Sequence, residues 1–244
     1  MQFNLNAIRR GALLAACLFC TQANASVVIS STRVVFDGDE PEVTVKLSNE
    51  GPYPSLVQAW IDDGNPQASM DDLQVPFSLM PGVFRLDGGK GQSLRLFHSG
   101  EAMAQAHESL FWLNVLDIPP KGSGNRLQLS LRSRIKLFYR PTGLEGKAVD
   151  AHQKLTWRMV RDGGQWRLQA DNASPYFVNL AQLEVKQAGE TLLAKPSHVP
   201  PFSHARFSLE NVQPNVPAQV RYAFIDDYGA VRDGSQPTHL VWGN

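Results

Sequence analysis

The residues here that could carry catalysis or hold a metal are six histidines, two cysteines, three adjacent aspartate pairs and one glycine-rich segment. His98, His107, His152, His198, His204 and His239 form no pair at a helical or alternating spacing that would chelate an ion. His107-Glu108 lacks the second histidine that a zinc protease needs. All six are read as surface or hydrogen-bonded side chains. Gly88-Gly89-Lys90-Gly91-Gln92-Ser93 lacks the Lys-Ser/Thr step of a phosphate cradle and reads as a turn between strands. No Gly-x-Ser-x-Gly nucleophile elbow occurs. Asp62-Asp63, Asp71-Asp72 and Asp226-Asp227 invite comparison with glycosidase carboxylates. Neighbours on a strand point to opposite faces, so such pairs do not converge. The first two pairs are read as polar turns. These residues predict no catalytic group, no metal and no cofactor.

Those side chains sit in a chain of 244 residues with 43% hydrophobic and 19% charged residues, a globular composition. Lys plus Arg and Asp plus Glu both number 23, so the basic excess of a nucleic-acid binder is missing. Residues 1–25 read as a secretory leader. Arg9 and Arg10 form its positive end, Gly11 to Cys20 its apolar stretch, and Ala23-Asn24-Ala25 a small-x-small cleavage site. Leu14-Ala15-Ala16-Cys17 also resembles a lipoprotein box, but only six residues separate Arg10 from that cysteine. Cleavage after Ala25 leaves 219 residues, removes both cysteines and two arginines, and sets 21 basic against 23 acidic groups. No later stretch is long and apolar enough to span a membrane.

Period-2 alternation dominates the remainder. It is clear in Glu42–Leu47, Ser93–Leu96, Trp166–Ala170, Phe177–Leu180 and Gln219–Phe224. It is clearest in Leu127-Gln128-Leu129-Ser130-Leu131-Arg132, a run continuing through Ile135, Leu137 and Tyr139. Turn signals separate the runs at Asp37-Gly38, Glu50-Gly51-Pro52, Asp63-Gly64-Asn65-Pro66, Asp162-Gly163-Gly164 and Tyr228-Gly229. Glu101–Glu108 and Ala148–Leu155 could each form at most two helical turns, without the stripe of a packed helix. The expected class is all-β, as two sandwiches of roughly 100 residues each. A polar stretch after Arg140-Pro141 sets the expected domains at 26–141 and 147–244.

Several segments, in order, resemble the PapD-like periplasmic pilus chaperones. They are Thr32-Arg33-Val34-Val35-Phe36, the stretch Glu108 to Pro120, and Arg134-Ile135-Lys136-Leu137-Phe138-Tyr139-Arg140-Pro141. Asn172-Ala173-Ser174-Pro175-Tyr176-Phe177 and Ile225-Asp226-Asp227-Tyr228-Gly229 follow. The short connection Lys121–Asn125 resembles the short-loop branch. Ala106 and His107 depart from the family pattern, as does the absence of a cysteine pair in the second half.

The resemblance implies two immunoglobulin-like β-sandwich domains set at an angle around a cleft. It implies a periplasmic chaperone that binds, folds and caps pilus subunits by lending them a strand, then delivers them to an outer-membrane usher. No nucleotide or metal is implied. Leu127, Leu129 and Leu131 match the family's donor row. Alternation alone would favour placing these leucines against the chain's own core. They share one face, about 6.6 Å apart at ~3.3 Å per residue. An exposed row of this kind favours self-association. Arg33 and Lys136 match the two basic cleft residues that anchor a subunit's terminal carboxylate. Glu108, Arg140 and Asp227 match an ion-pair network between the domains. Two other readings are a sandwich-built pilus subunit or adhesin, and a β-sandwich glycosidase. The early first strand and the lack of a mature cysteine speak against the former, the lack of convergent acids against the latter.

Overall fold

Alternating apolar residues become strands here because each run can bury one face against another sheet. A computed structural model describes residues 26–70, 73–122, 128–234 and 238–242. The leader reading on residues 1–25, the Asp71-Asp72 pair and Leu127 fall outside the described residues.

The first half contains β1 (Val27–Ile29), β2 (Arg33–Asp37), β3 (Val43–Asn49), β4 (Ser55–Asp62), β5 (Phe77–Met80), β6 (Val83–Leu86), β7 (Gly91–His98), β8 (Ser109–Ile118) and β9 (Leu131–Arg140). One sheet has the order β1-β3-β7-β5 and the facing sheet β2-β9-β8-β4-β6. Between β1 and β2 the chain therefore crosses from one sheet to the other. Phe36, Leu47, Val57, Leu94, Leu96, Leu113 and Leu137 form the centre of the core between them.

The second half contains β10 (Leu155–Asp162), β11 (Gln165–Asn172), β12 (Val178–Gln187), β13 (Glu190–Leu193), β14 (His198–Val199), β15 (Ser203–Ser208), β16 (Ala218–Ile225), β17 (Val231–Asp233), β18 (Thr238–His239) and β19 (Val241–Trp242). Its sheets run β15-β11-β10-β19 and β13-β12-β16-β17, with β14 on β12 and β18 on β16. Trp157, Met159, Leu168, Val185, Val199 and Val220 lie in a second, separate core. The protein is thus all-β, with two immunoglobulin-like sandwiches.

Of the two short helical candidates one forms, and the β9 run starts later than expected. Ala148–Lys154 forms a short 3₁₀ helix, while residues 101–108 form no helix. The run expected from Leu127 becomes a strand only at Leu131. Leu131 pairs with Asp117, and β8 ends one residue later, ahead of Pro119-Pro120. Proline has no backbone N–H to continue the ladder, so residues 128–130 have no strand partner there. Gln128 instead donates its side-chain amide to the Pro119 and Pro120 carbonyls.

Asp62 also departs from the polar-turn reading. It ends β4 and its side chain is buried. Arg134 donates to its two oxygens at 2.5 and 3.0 Å, and Asn114 Nδ2 donates at 2.7 Å. Burial alone would raise this carboxyl's pKa. The bonds from Arg134, Asn114 and the Gly64 N–H outweigh it and hold the pKa below the usual carboxylate value.

Strand β9 is buried unevenly. Leu137 and Tyr139 lie in the core and Ile135 packs at its margin. Leu131, on the same face, is 50% exposed, and Leu129, ahead of the strand, 73%. Leu137→Ala is expected to cost about 2–5 kcal/mol through cavity formation. Leu131→Ala is expected to stay within about 1 kcal/mol. Urea unfolding of the two variants compares them; equal losses would contradict this division of the strand.

Candidate functional site

Strand β9 carries two kinds of side chain because strand neighbours alternate faces. Leu131, Ser133, Ile135, Leu137 and Tyr139 take one face; Arg132, Arg134, Lys136, Phe138 and Arg140 take the other. The second face is unusually cationic for a strand between two neighbours. Arg132 and Arg134 share the Asp62 carboxylate, at 3.6 and 2.5 Å. Arg132 bonds Asn114 Oδ1 through Nε and Nη2 at 2.9 and 2.7 Å and lies 4.9 Å from the Trp60 ring centre. Arg134 pairs with Asp62 and lies 4.1 Å from the Trp112 ring centre. Such cation–π contacts contribute about 0.5–1 kcal/mol each where solvent reaches them.

β2 runs parallel to β9 and places Arg33 directly opposite Lys136. The pairing covers only Lys136 to Arg140 on β9. Among the described residues, Leu131–Ile135 pairs with β8 alone, so its other edge is open. Arg33 is 8% exposed; its Nη1 donates to the Ile225 carbonyl at 3.2 Å, while its Nε is buried without a partner. Lys136 Nζ donates to Asn179 Oδ1 at 2.5 Å and lies 3.3 Å from His198 Nδ1. Both partners of Lys136 are neutral. Among the described residues no carboxylate forms an ion pair with either cation. Burial, and then Arg33, lower the Lys136 pKa to about 8. Burial lowers Arg33 too, against the pull of Asp227 and Asp226. Arginine's ordinary value is so high that it stays charged. The arrangement is a planar fork and a compact ammonium side by side, short of negative charge, at the start of an open strand edge. That chemistry suits a carboxylate.

A second cluster lies at the other end of β9. Arg140 Nε donates to Glu108 Oε1 at 2.7 Å. Its Nη1 and Nη2 donate to the two Asp227 oxygens at 2.9 and 3.0 Å, a bidentate pair. Glu108 Oε2 accepts from the Phe177 N–H at 2.8 Å, and the Glu108 N–H donates to the Pro175 carbonyl at 2.9 Å. Glu108 and Arg140 belong to the first sandwich, Pro175, Phe177 and Asp227 to the second. Burial raises the Glu108 pKa, only partly countered by Arg140 and the Phe177 N–H. Burial works against the charge of Arg140, but Asp227 and Glu108 outweigh it and raise its pKa. Phe138 and Phe177 pack across the same junction with ring centres 5.7 Å apart. Gly229 closes the approach: its φ is +83°, and a Cβ there would lie 2.2 Å from Thr32 Oγ1. Only glycine serves at that contact.

The structure therefore brings Arg33 to Lys136, and Glu108 to Arg140 and Asp227. Leu129 and Leu131 stand exposed beyond the core. Sequence reasoning missed Asp62, Asn114, Arg132 and Arg134, and also Asn179 and His198. A signal for the first group was present: polar Asn114 sits between apolar Leu113 and Val115 in β8, yet is fully buried. Asn179 and His198 carried no signal, because their roles depend on contact between the sandwiches.

Two family models match the chain, one on each sandwich. "Pili and flagellar-assembly chaperone, PapD N-terminal domain" matches residues 26–145, and "Pili assembly chaperone PapD, C-terminal domain" matches residues 150–236. The chain belongs to the PapD-like family of pilus-assembly chaperones. It is 45% identical over 217 residues to the chaperone protein FimB/FhaD of Bordetella pertussis, covering 86% of each chain. The crystal structure of the YadV chaperone superposes with a TM-score of 0.76 at 33% identity, covering 88% of this chain and all of that one. The SafB chaperone of Salmonella enterica, solved in complex with the SafA pilin, gives 0.72 at 27% identity, covering 91% and 98%. Members of this family are not enzymes.

Glu108 has its side chain 2% exposed and Asp227 38%. Glu108→Ala strips a buried partner from Arg140 and leaves the Phe177 N–H unpaired, so a loss of about 3–5 kcal/mol is expected. Asp227→Ala, nearer solvent, is expected to cost about 1 kcal/mol. Urea unfolding at neutral pH measures both, and an equal or reversed ranking would contradict the geometry.

Proposed function

We propose that this chaperone binds a pilus subunit along the open edge of β9 and fixes the subunit's terminal carboxylate between Arg33 and Lys136. The observation that carries the reading is the register-matched pair of buried Arg33 and half-buried Lys136, which have no ion-paired carboxylate among the described residues. Subunit backbone pairs with Leu131–Ile135, and alternate leucines enter the subunit's apolar groove. Leu129 and Leu131 are two of these, with Leu127 the third in the row. Each can gain about 1.5–3 kcal/mol on burial there. The anchored carboxylate sets the register, which matters because a one-residue slip turns every leucine to the wrong face.

In this reading 26–141 and 147–244 are the two domains, and the Glu108–Arg140–Asp227 network fixes the angle of the cleft. The short Lys121–Asn125 connection supports assignment to the short-loop branch. Handover goes to an outer-membrane usher, with no nucleotide or metal used. The exposed leucine row leaves the free protein an edge at which self-association is open to it. Cleavage after Ala25 releases it into the periplasm, and the mass of the exported protein tests that cut. SafB, a relative solved bound to a pilin, supports the reading.

Arg33→Ala and Lys136→Ala are each expected to abolish protection of a co-expressed subunit from periplasmic degradation while the chaperone stays folded. Normal protection by both variants would refute the anchor. Leu131→Asp is expected to do the same through the groove.

The anchor also predicts a pH dependence. A bound carboxylate raises the Lys136 pKa above its free value of about 8. Where the lysine is protonated in both states, affinity is constant. As pH rises through the free value, the unbound lysine gives up its proton and affinity falls, by up to about tenfold per pH unit. Subunit affinity measured between about pH 7 and 10 tests this sign, with Lys136→Arg, whose guanidinium keeps its proton throughout, as the flat control.

A further inference from the structure

Lys136 and His198 come from different sandwiches. His198 lies on β14, and the β12–β14 register puts Asn179 directly opposite it. Both side chains reach the Lys136 ammonium, Asn179 Oδ1 at 2.5 Å and His198 Nδ1 at 3.3 Å. An ammonium donates and cannot accept. Nδ1 is therefore the acceptor in this contact, and the ring is neutral with its proton on Nε2. Phe177 holds the half-buried ring edge-on, with centres 5.6 Å apart. From β9 the ring faces the Lys136 charge, and Arg33 on β2 lies behind it. From β12 it faces neutral Asn179. Asp226 and Asp227, after β16, act on Arg33. Burial, and then Lys136, push the His198 pKa down to about 4.

We propose that His198 is a positioning residue of the carboxylate anchor, holding the Lys136 ammonium in the free protein and taking up a proton when a carboxylate arrives. The inference rests on the reading of Arg33 and Lys136 as that anchor. The carboxylate offsets the ammonium charge beside the ring. The imidazole then accepts a proton from solvent at Nδ1, and that N–H can donate where it formerly accepted. The imidazole holds its proton more firmly in the complex than in the free protein. Affinity therefore rises as pH falls through the bound-state value, and levels off once the free ring is protonated as well. Its direction at acid pH is thus set by histidine, separately from the alkaline loss set by Lys136.

The test is calorimetric titration of the mature protein with a synthetic, histidine-free peptide copied from the C-terminus of a pilus subunit. The peptide is used as its free acid and as its C-terminal amide. Wild type is expected to prefer the free acid, and to bind it roughly tenfold more tightly at about pH 5.5 than at about pH 7.5 if the ring regains its ordinary pKa. His198→Gln keeps an acceptor for Lys136 and cannot titrate. It is expected to bind near wild type at the higher pH and to lose the acid rise. His198→Ala is expected to bind more weakly at both. An acid rise retained in His198→Gln, or unchanged binding by His198→Ala, overturns the inference while leaving the anchor intact. Equal binding of free acid and amide by wild type defeats the anchor itself, and this inference with it.

Discussion

Two positive charges held side by side and partly out of water are the constraint on which the rest of this structure depends. Arg33 and Lys136 are strand partners; Arg33 is buried and Lys136 half-buried. Like charges this close repel, and burial strips away the water that would screen them. Their neighbours offset only part of the cost: the Ile225 carbonyl for Arg33, and Asn179 with His198 for Lys136. These partners all belong to the second sandwich. The cationic pair therefore exists in this form only because the two sandwiches meet.

The junction is correspondingly specific. Arg140, one strand residue pair beyond Phe138, spends all three of its guanidinium nitrogens on Glu108 and Asp227. Glu108 is joined to the second sandwich twice, through its side chain and its backbone. An ion-pair cluster of this kind contributes little net stability compared with an apolar replacement. Its directional bonds do fix geometry. Strand β9 thus runs from a rigid ionic junction at Arg140, past the cation pair at Lys136, to leucines that no core of its own covers.

Much of this was legible in the sequence, for a physical reason. Period 2 is a property of the strand itself, so the faces of β9 could be read before any fold was known. The same holds for β3, β7, β11 and β16. Where strands end is a property of their partners, and there the reading failed: β9 starts at Leu131 because β8 stops before two prolines. Asp62 failed similarly. Two adjacent aspartates before a glycine look like a turn, and nothing local shows that Arg134 and Asn114 wait across the sheet. Arg33, Lys136, Glu108, Arg140 and Asp227 were reachable through family resemblance alone. Taken singly, each is an ordinary surface charge on a strand or turn. His198 and Asn179 lay beyond both routes, since their meaning arises only where two domains touch.

The most direct measurement is a crystal structure of the mature protein bound to a pilus subunit. The subunit's terminal carboxylate is expected within hydrogen-bonding distance of both Arg33 and Lys136. A subunit strand is expected to pair with β9 from Leu131 to Ile135, with Leu129 and Leu131 inside the subunit's groove. A subunit docked elsewhere, or one whose carboxylate lies away from the two cations, would contradict it.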